Sequence, residues 1–252
     1  MRVALAGKGG AGKTTISATL ARLEARRGSA VVAIDADSNP NLGVALGFDP
    51  EEANRATSLP FALVSRRIDG PALTSSVASV LEGHALLGPD GVRLVLMGGV
   101  GHAEEGCLCS AHATVAALLA DIGDTTDSVA VIDLEASPEH LARGTVRNAD
   151  VLLLVTEPYY RSLEATRRQA ELAAGLPISR ILVVANKLRS ADDAAAVGEF
   201  CERHGLEVIA EVPWGDEVGA GDRATLPLID AAPDGNVVAA VTVLAERLRK
   251  LS

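Results

Sequence analysis

Short apolar runs recur along the 252-residue chain at intervals that leave room for a helix between them. The runs Val3–Ala6, Ala30–Ile34, Val92–Met97, Val129–Leu134, Val151–Val155, Ile181–Ala185 and Glu207–Glu211 have strand length and are rich in Val, Ile and Leu. Their apolarity is mostly continuous rather than alternating, the pattern of parallel strands buried on both faces. Between them, Lys13–Arg27, His112–Ile122, Pro138–Asn148, Leu163–Ala174 and Asp192–Arg203 carry an Ala/Leu/Arg/Glu pattern that reads as helix, and Asn236–Leu251 reads as a closing helix. Gly28, after Arg26 and Arg27, is a sensible helix stop. This alternation predicts an α/β fold: a doubly wound, mostly parallel sheet with helices on both faces. The pattern is loosest over Asp49–Leu87, where it is weakly helical. Without an internal repeat or a low-complexity linker, the expected organisation is a single domain over residues 1–252.

Composition narrows the function classes. Lys+Arg total 23 against 33 Asp+Glu, a formal net charge of −10, which argues against a general nucleic-acid coat. Aromatics are only 2% of residues, so stacking platforms for single strands are scarce. Three cysteines make no disulfide framework, and the odd count fits a reducing compartment. The run Val3–Ala6 is too short for a signal-peptide core, and no apolar stretch reaches about 18 residues. The expectation is a cytoplasmic protein with no membrane or nucleic-acid partner.

The chemistry starts at the end of the first strand. Gly7-Lys8-Gly9-Gly10-Ala11-Gly12-Lys13-Thr14 fits G-x-x-x-x-G-K-[ST] between a strand and a helix, the P-loop context. In such a loop the amides of Gly9, Gly10, Ala11 and Gly12 converge on phosphate oxygens, and the helix N-terminus adds its dipole. Lys13 would reach the β- and γ-phosphates, Thr14 would ligate Mg²⁺, and Thr15 would donate to the α-phosphate. Two acidic clusters end later strands, Asp35-Ala36-Asp37 and Asp133-Leu134-Glu135. Ligands of doubly wound sheets sit at the carboxyl ends of strands, so both clusters are expected to face the nucleotide.

The additional Lys8 makes the loop GKGGAGKTT. It resembles the deviant Walker A motif of the ATPase family that includes septum-site MinD, plasmid-partition ParA, arsenite ATPases and the nitrogenase iron protein. That resemblance implies that Lys8 crosses a dimer interface to the partner's nucleotide, where a second cation stabilises charge developing in phosphoryl transfer. It also implies that Asp37 positions the attacking water, and that Asp35 and Asp133 hold the water shell of Mg²⁺. Asn186, at a strand end before Lys187, resembles the residue with which the family reads adenine. Pro213-Trp214 resembles its second base-contacting loop. The absence of an Asp after Asn186-Lys187 (Leu188 and Arg189 follow) favours ATP/ADP over guanine nucleotides.

Cys107 and Cys109 are spaced so that an extended segment would place both sulfurs on one side. Ser110 is a plausible N-cap for the helix that follows, and a helix N-terminus favours the thiolate, the form that ligates soft and borderline metals. Two thiolates leave a site incomplete, but a two-fold dimer apposes the same patch of both subunits and would supply four, suited to Zn²⁺ or Ni²⁺. Cys201 sits in a helical pattern and reads as packing, and His102 and His112 read as solvent or helix-surface residues.

Taken with the segment 135–145, these motifs make the chain similar to the CooC-type nickel-insertion ATPases that mature carbon monoxide dehydrogenase. The resemblance spans nearly the whole chain. It implies an ATP-dependent homodimer that binds Ni²⁺ or Zn²⁺ through paired C-x-C segments and serves a client metalloenzyme. Ser137-Pro138 departs from it, since the family usually carries Gly there. A ParA/MinD-like positioning ATPase and an electron-transfer ATPase like the nitrogenase iron protein are the alternatives. Neither a membrane nor a DNA role explains Cys107 and Cys109. The apolar stripe Val237, Val238, Val241, Leu244, Leu248 and Leu251 serves equally well to cover a sheet.

Overall fold

The computed structural model describes residues 1–67, 70–98, 109–122 and 128–251. Its strands are β1 (Arg2–Gly7), β2 (Ala30–Ala36), β3 (Val64–Arg67), β4 (Gly70–Leu73), β5 (Leu86–Leu87), β6 (Arg93–Leu96), β7 (Ser128–Leu134), β8 (Val151–Thr156), β9 (Arg180–Leu188) and β10 (Glu207–Pro213). The helices are α1 (Lys13–Arg26), α2 (Leu42–Leu46), α3 (Pro50–Arg55), α4 (Val77–His84), α5 (Cys109–Ile122), α6 (Glu139–Ala142), α7 (Tyr160–Ala173), α8 (Ala191–Arg203), α9 (Asp216–Arg223), α10 (Leu228–Ala231) and α11 (Asn236–Arg249).

Eight strands form one sheet in the order β10-β9-β8-β1-β7-β2-β6-β5, and only the β5–β6 pair is antiparallel. The mostly parallel α/β fold is as expected from the apolar runs. Alternate residues of each run enter different layers. Val3, Leu5, Val31, Ala33, Val131 and Leu153 pack with α1 and α11 through Ile16, Leu20, Val241 and Leu244. Ala4, Ala6, Val32, Ile34, Ile132 and Leu154 pack on the opposite face with Val115 and Leu118 of α5, Leu163 of α7 and Val197 of α8. Each large aliphatic side chain buried this way contributes about 1.5–3 kcal/mol, which is why the strands carry no polar face. Cys201 is buried in this second layer, as expected of a packing residue.

The order of connections reverses around β1, so a crevice opens beyond its carboxyl end, where the glycine loop begins. The register then fixes the acids: Asp35 on β2 is the direct neighbour of Asp133 on β7.

Three expectations are corrected. The helix expected over Pro138–Asn148 is only α6, followed by turns, because Gly144 adopts φ +66° and Thr145 N closes back on His140 O at 2.9 Å. The weakly helical stretch Asp49–Leu87 instead holds α3, the β3–β4 hairpin, α4 and the edge strand β5. Ser110 lies inside α5, which starts at Cys109, so it is not the N-cap. None of the described helices is long and apolar enough to cross a membrane.

Candidate nucleotide site

The glycine loop turns through φ values that side chains resist: Gly10 has φ +78° and Gly12 φ +99°. Gly12 is doubly constrained, since a Cβ there would lie 2.3 Å from Asn186 Nδ2. Asn186, at the end of β9, donates from that nitrogen to Ala11 O at 2.7 Å. Lys187 follows with a left-handed φ of +60°, donates to Gly10 O at 2.5 Å and pairs with Glu157 at 3.0 Å. Two residues of β9, 175 or more positions downstream and two strands away from β1, thus brace the loop.

Lys13 opens α1 and is 7% exposed. Its ammonium donates to Lys8 O at 3.4 Å and makes no ion pair among the described residues. Burial holds its pKa below the ordinary lysine value, against the opposing pull of Asp133, Asp37 and Glu135. A buried cation beside a helix N-terminus, without a bound counter-ion, is a place for an anion.

Asp133 accepts from Thr14 Oγ1 at 2.6 Å and from Ser17 Oγ at 3.1 Å. Asp35 accepts from the amides of Leu42 (2.8 Å) and Asp37 (3.2 Å). Both carboxylates are almost fully buried, and burial pushes Asp35 up to about 7 and Asp133 up to about 6. Their mutual repulsion raises Asp35 further. Hard oxygen donors of this kind, Thr14 among them, suit Mg²⁺ rather than a softer metal. Asp37 is half-buried at the rim and accepts from Asn39 N at 2.8 Å.

The Lys8 side chain reaches Tyr159. Its ammonium donates to Tyr159 Oη at 3.2 Å and lies 5.6 Å from the centre of that ring, and Tyr159 donates to Glu157 at 2.9 Å. Lys8 also lines an open groove of about 430 Å³ with Ala136, Pro138 and α7 residues. On the other flank, Thr15 opens into a cleft of about 210 Å³ against Val218 and Asp222 of α9. Pro213 is in register with Leu188, which brings Trp214 beside the Asn186-Lys187 corner. Trp214 is exposed, donates to Asp216 at 2.8 Å and carries the Arg189 guanidinium 3.8 Å above its ring.

The structure therefore brings Lys8, Gly9, Gly10, Ala11, Gly12, Lys13, Thr14, Thr15, Asp35, Asp37, Asp133, Asn186, Lys187, Pro213 and Trp214 to the carboxyl-terminal side of the sheet, with Lys8 and Thr15 on opposite flanks of the loop. Cys107 lies outside the described residues, and Cys109 is the first residue of α5. Ser17, Glu157 and Tyr159 were not foreseen. Ser17 had a signal, a hydroxyl one helical turn after Thr14. Glu157 and Tyr159 had none, because β8 meets the loop only through sheet order.

One expectation about the site's surroundings is wrong. His112 is not a surface residue: it is 4% exposed, its Nδ1 lies 2.8 Å from Thr145 Oγ1, and its ring meets the His140 ring edge-on at 4.7 Å. An apolar α5 leaves nowhere else for it to point. Among the described residues, His112 Nε2 and both nitrogens of His140 have no well-formed hydrogen bond. Each such atom costs about 1–3 kcal/mol. Burial pushes His140 down to about 4, with His112 adding to the shift. The unfolded chain takes up this proton near 6.5 and the native state only near 4, so stability falls as pH drops through that interval, by up to about 3 kcal/mol. Thermal midpoints of wild type and His140→Leu should diverge in the variant's favour between pH 7 and pH 5. A constant difference would refute this.

A glycine loop of this build, between the central strand of a doubly wound sheet and a helix, defines the class of P-loop nucleotide-binding proteins. The chain belongs to the CobQ/CobB/MinD/ParA nucleotide binding domain family, whose model matches residues 3–228, and it is an ATPase of that family. It is 35% identical over 247 residues to the carbon monoxide dehydrogenase accessory protein CooC of Rhodospirillum rubrum, covering 92% of this chain and 91% of that one. An uncharacterized ATP-binding protein of Methanocaldococcus jannaschii is 32% identical over 228 residues, covering 86% of this chain and 87% of its own. The fold is that of the septum site-determining protein MinD from Pyrococcus horikoshii, solved with Mg-ADP, with a TM-score of 0.74 at 21% identity over 100% of this chain and 97% of that one. The expected CooC-type membership of the MinD/ParA group is borne out.

Proposed function

We propose that the protein is a single-domain, cytoplasmic, ATP-dependent metallochaperone, acting as a homodimer that hydrolyses ATP to ADP and phosphate and binds Ni²⁺ or Zn²⁺ to mature a metalloenzyme. The observation that carries the ATP site is the buried Lys13 ammonium, held without a counter-ion at the start of α1. The cargo reading is supported by the 35% identity to an accessory protein of carbon monoxide dehydrogenase.

In this reading Lys13 and the amides of Gly9, Gly10, Ala11 and Gly12 hold the phosphates, and Thr15 holds the α-phosphate. Thr14, with Asp35 and Asp133 acting through water, would hold Mg²⁺, which supplies charge neutralisation when bound. Burial raises both acids, and a cation beside them would favour their charged forms. Asp37 orients the attacking water at the rim. Asn186 keeps its amide oxygen for the adenine amino group, with Lys187, Pro213 and Trp214 bordering the base. Lys8 is held outward by Tyr159, in a position to reach a second subunit's nucleotide. Cys107 and Cys109 of each subunit would together make the four-thiolate cargo site. No membrane or nucleic-acid partner is invoked.

Sedimentation with MgATP and Ni²⁺ or Zn²⁺ should give a dimer holding one metal per two chains. A metal-free monomer under those conditions would refute the metallochaperone part. Lys8→Ala should lower hydrolysis by about 10²–10³-fold while leaving nucleotide affinity within about threefold. A fully active variant would remove the trans role of Lys8.

A further inference from the structure

We propose that His112 and His140 form a polar joint between α5 and the segment that follows β7, and that they are positioning residues for ATP hydrolysis. This rests on the reading of the P-loop and Asp133 given above. Three contacts close on one another. Thr145 N donates to His140 O at 2.9 Å, Thr145 Oγ1 lies 2.8 Å from His112 Nδ1, and the two imidazoles meet at 4.7 Å with an interplanar angle of 69°. All three residues are buried. His140 also interacts with the Ala36 backbone, between Asp35 and Asp37, without a well-formed hydrogen bond. One imidazole therefore meets the acidic end of β2 on one side and His112 of α5 on the other.

The open valences are what suggest a second arrangement. Three buried ring nitrogens have no well-formed hydrogen bond among the described residues, where packing alone would favour an aliphatic side chain. Glu139 and Arg143 act on His112 only at a distance, and Arg143 is bonded to Glu139 at 2.6 Å. A polar contact half-satisfied in one state becomes better satisfied in another when its segment shifts, which makes it bistable. The trigger is at hand. Thr14 Oγ1 donates to Asp133 at 2.6 Å, and turning that hydroxyl toward a cation would change the end of β7. His140 lies seven residues downstream of Asp133, so a shift there moves its ring against His112 and hence against α5.

The experiment uses the whole wild-type protein. Imidazole ¹⁵N resonances of His112 and His140, assigned with His112→Gln and His140→Gln, should shift when Mg²⁺ and a non-hydrolysable ATP analogue saturate the site. Trp214, the sole tryptophan, reports nucleotide binding independently through its fluorescence. Absence of binding overturns the P-loop reading and the joint with it, whereas binding with unchanged imidazole resonances overturns the joint alone. In kinetics, His140→Leu should lower kcat at least about tenfold with KM within about threefold, and His140→Gln should recover most of that loss. Wild-type kcat in a folded His140→Leu protein would overturn the proposal. If that variant does not fold, the wild-type resonances decide.

Discussion

Lys13→Ala is expected to lose ATP binding and hydrolysis together. The wild-type ammonium is buried, makes one long contact to Lys8 O and has no carboxylate within ion-pair distance among the described residues. Asp133, Asp37 and Glu135 offset its desolvation only in part, so a pairing with an ATP phosphate would be the strong, buried kind. Removing one partner of such a pair costs about 2–5 kcal/mol, and about 3 kcal/mol already weakens Kd by more than about 100-fold. The loss should be visible as absent quenching or enhancement of Trp214 on titration with MgATP, in a protein whose far-ultraviolet circular dichroism is unchanged. Near-wild-type affinity in a folded Lys13→Ala protein would remove the P-loop as the ATP site.

Cys107→Ser and Cys109→Ser should each abolish stoichiometric Ni²⁺ or Zn²⁺ binding. A hydroxyl does not supply the thiolate that a borderline cation prefers at neutral pH, and in a site shared by two subunits each substitution removes two ligands at once. Since outer-shell changes alone cost about 10- to 100-fold in metal affinity, losing two ligands should exceed about 100-fold. Equilibrium dialysis followed by elemental analysis measures it. Unchanged binding in both variants would sink the C-x-C cargo site. A broad visible absorption band in the anaerobically purified wild type would instead mark a bridging iron–sulfur cluster, the electron-transfer alternative.

Much of the nucleotide site was legible along the chain because its chemistry is local. The glycine loop needs left-handed turns at Gly10 and Gly12, and Lys13 and Thr14 must open the helix that follows, so the motif is contiguous. The strand-end acids were legible for another reason: the apolar runs have countable ends, and Asp35 and Asp133 stand at two of them. What resisted prediction was contributed by short or irregular segments. The β3–β4 hairpin has strands of four residues, too short for a periodic signal, and α6 stops after four residues because the chain turns left-handed at Gly144. His112 misled because helical spacing alone does not say which face a helix buries.

The amino-acid sequence by itself determined the class of fold, through apolar runs that only a doubly covered parallel sheet can bury. It also determined the phosphate loop, the acids at the strand ends and the family. Only the tertiary structure decided how these parts face one another. Sheet order places β8 and β9 beside the loop, so that Glu157, Tyr159, Asn186 and Lys187 brace it across more than a hundred residues of chain. Packing of α5 on the sheet turned His112 inward onto His140. The reason is one of range: backbone preference and hydrophobic period act over a few residues, whereas strand order and helix facing are settled by the shared core.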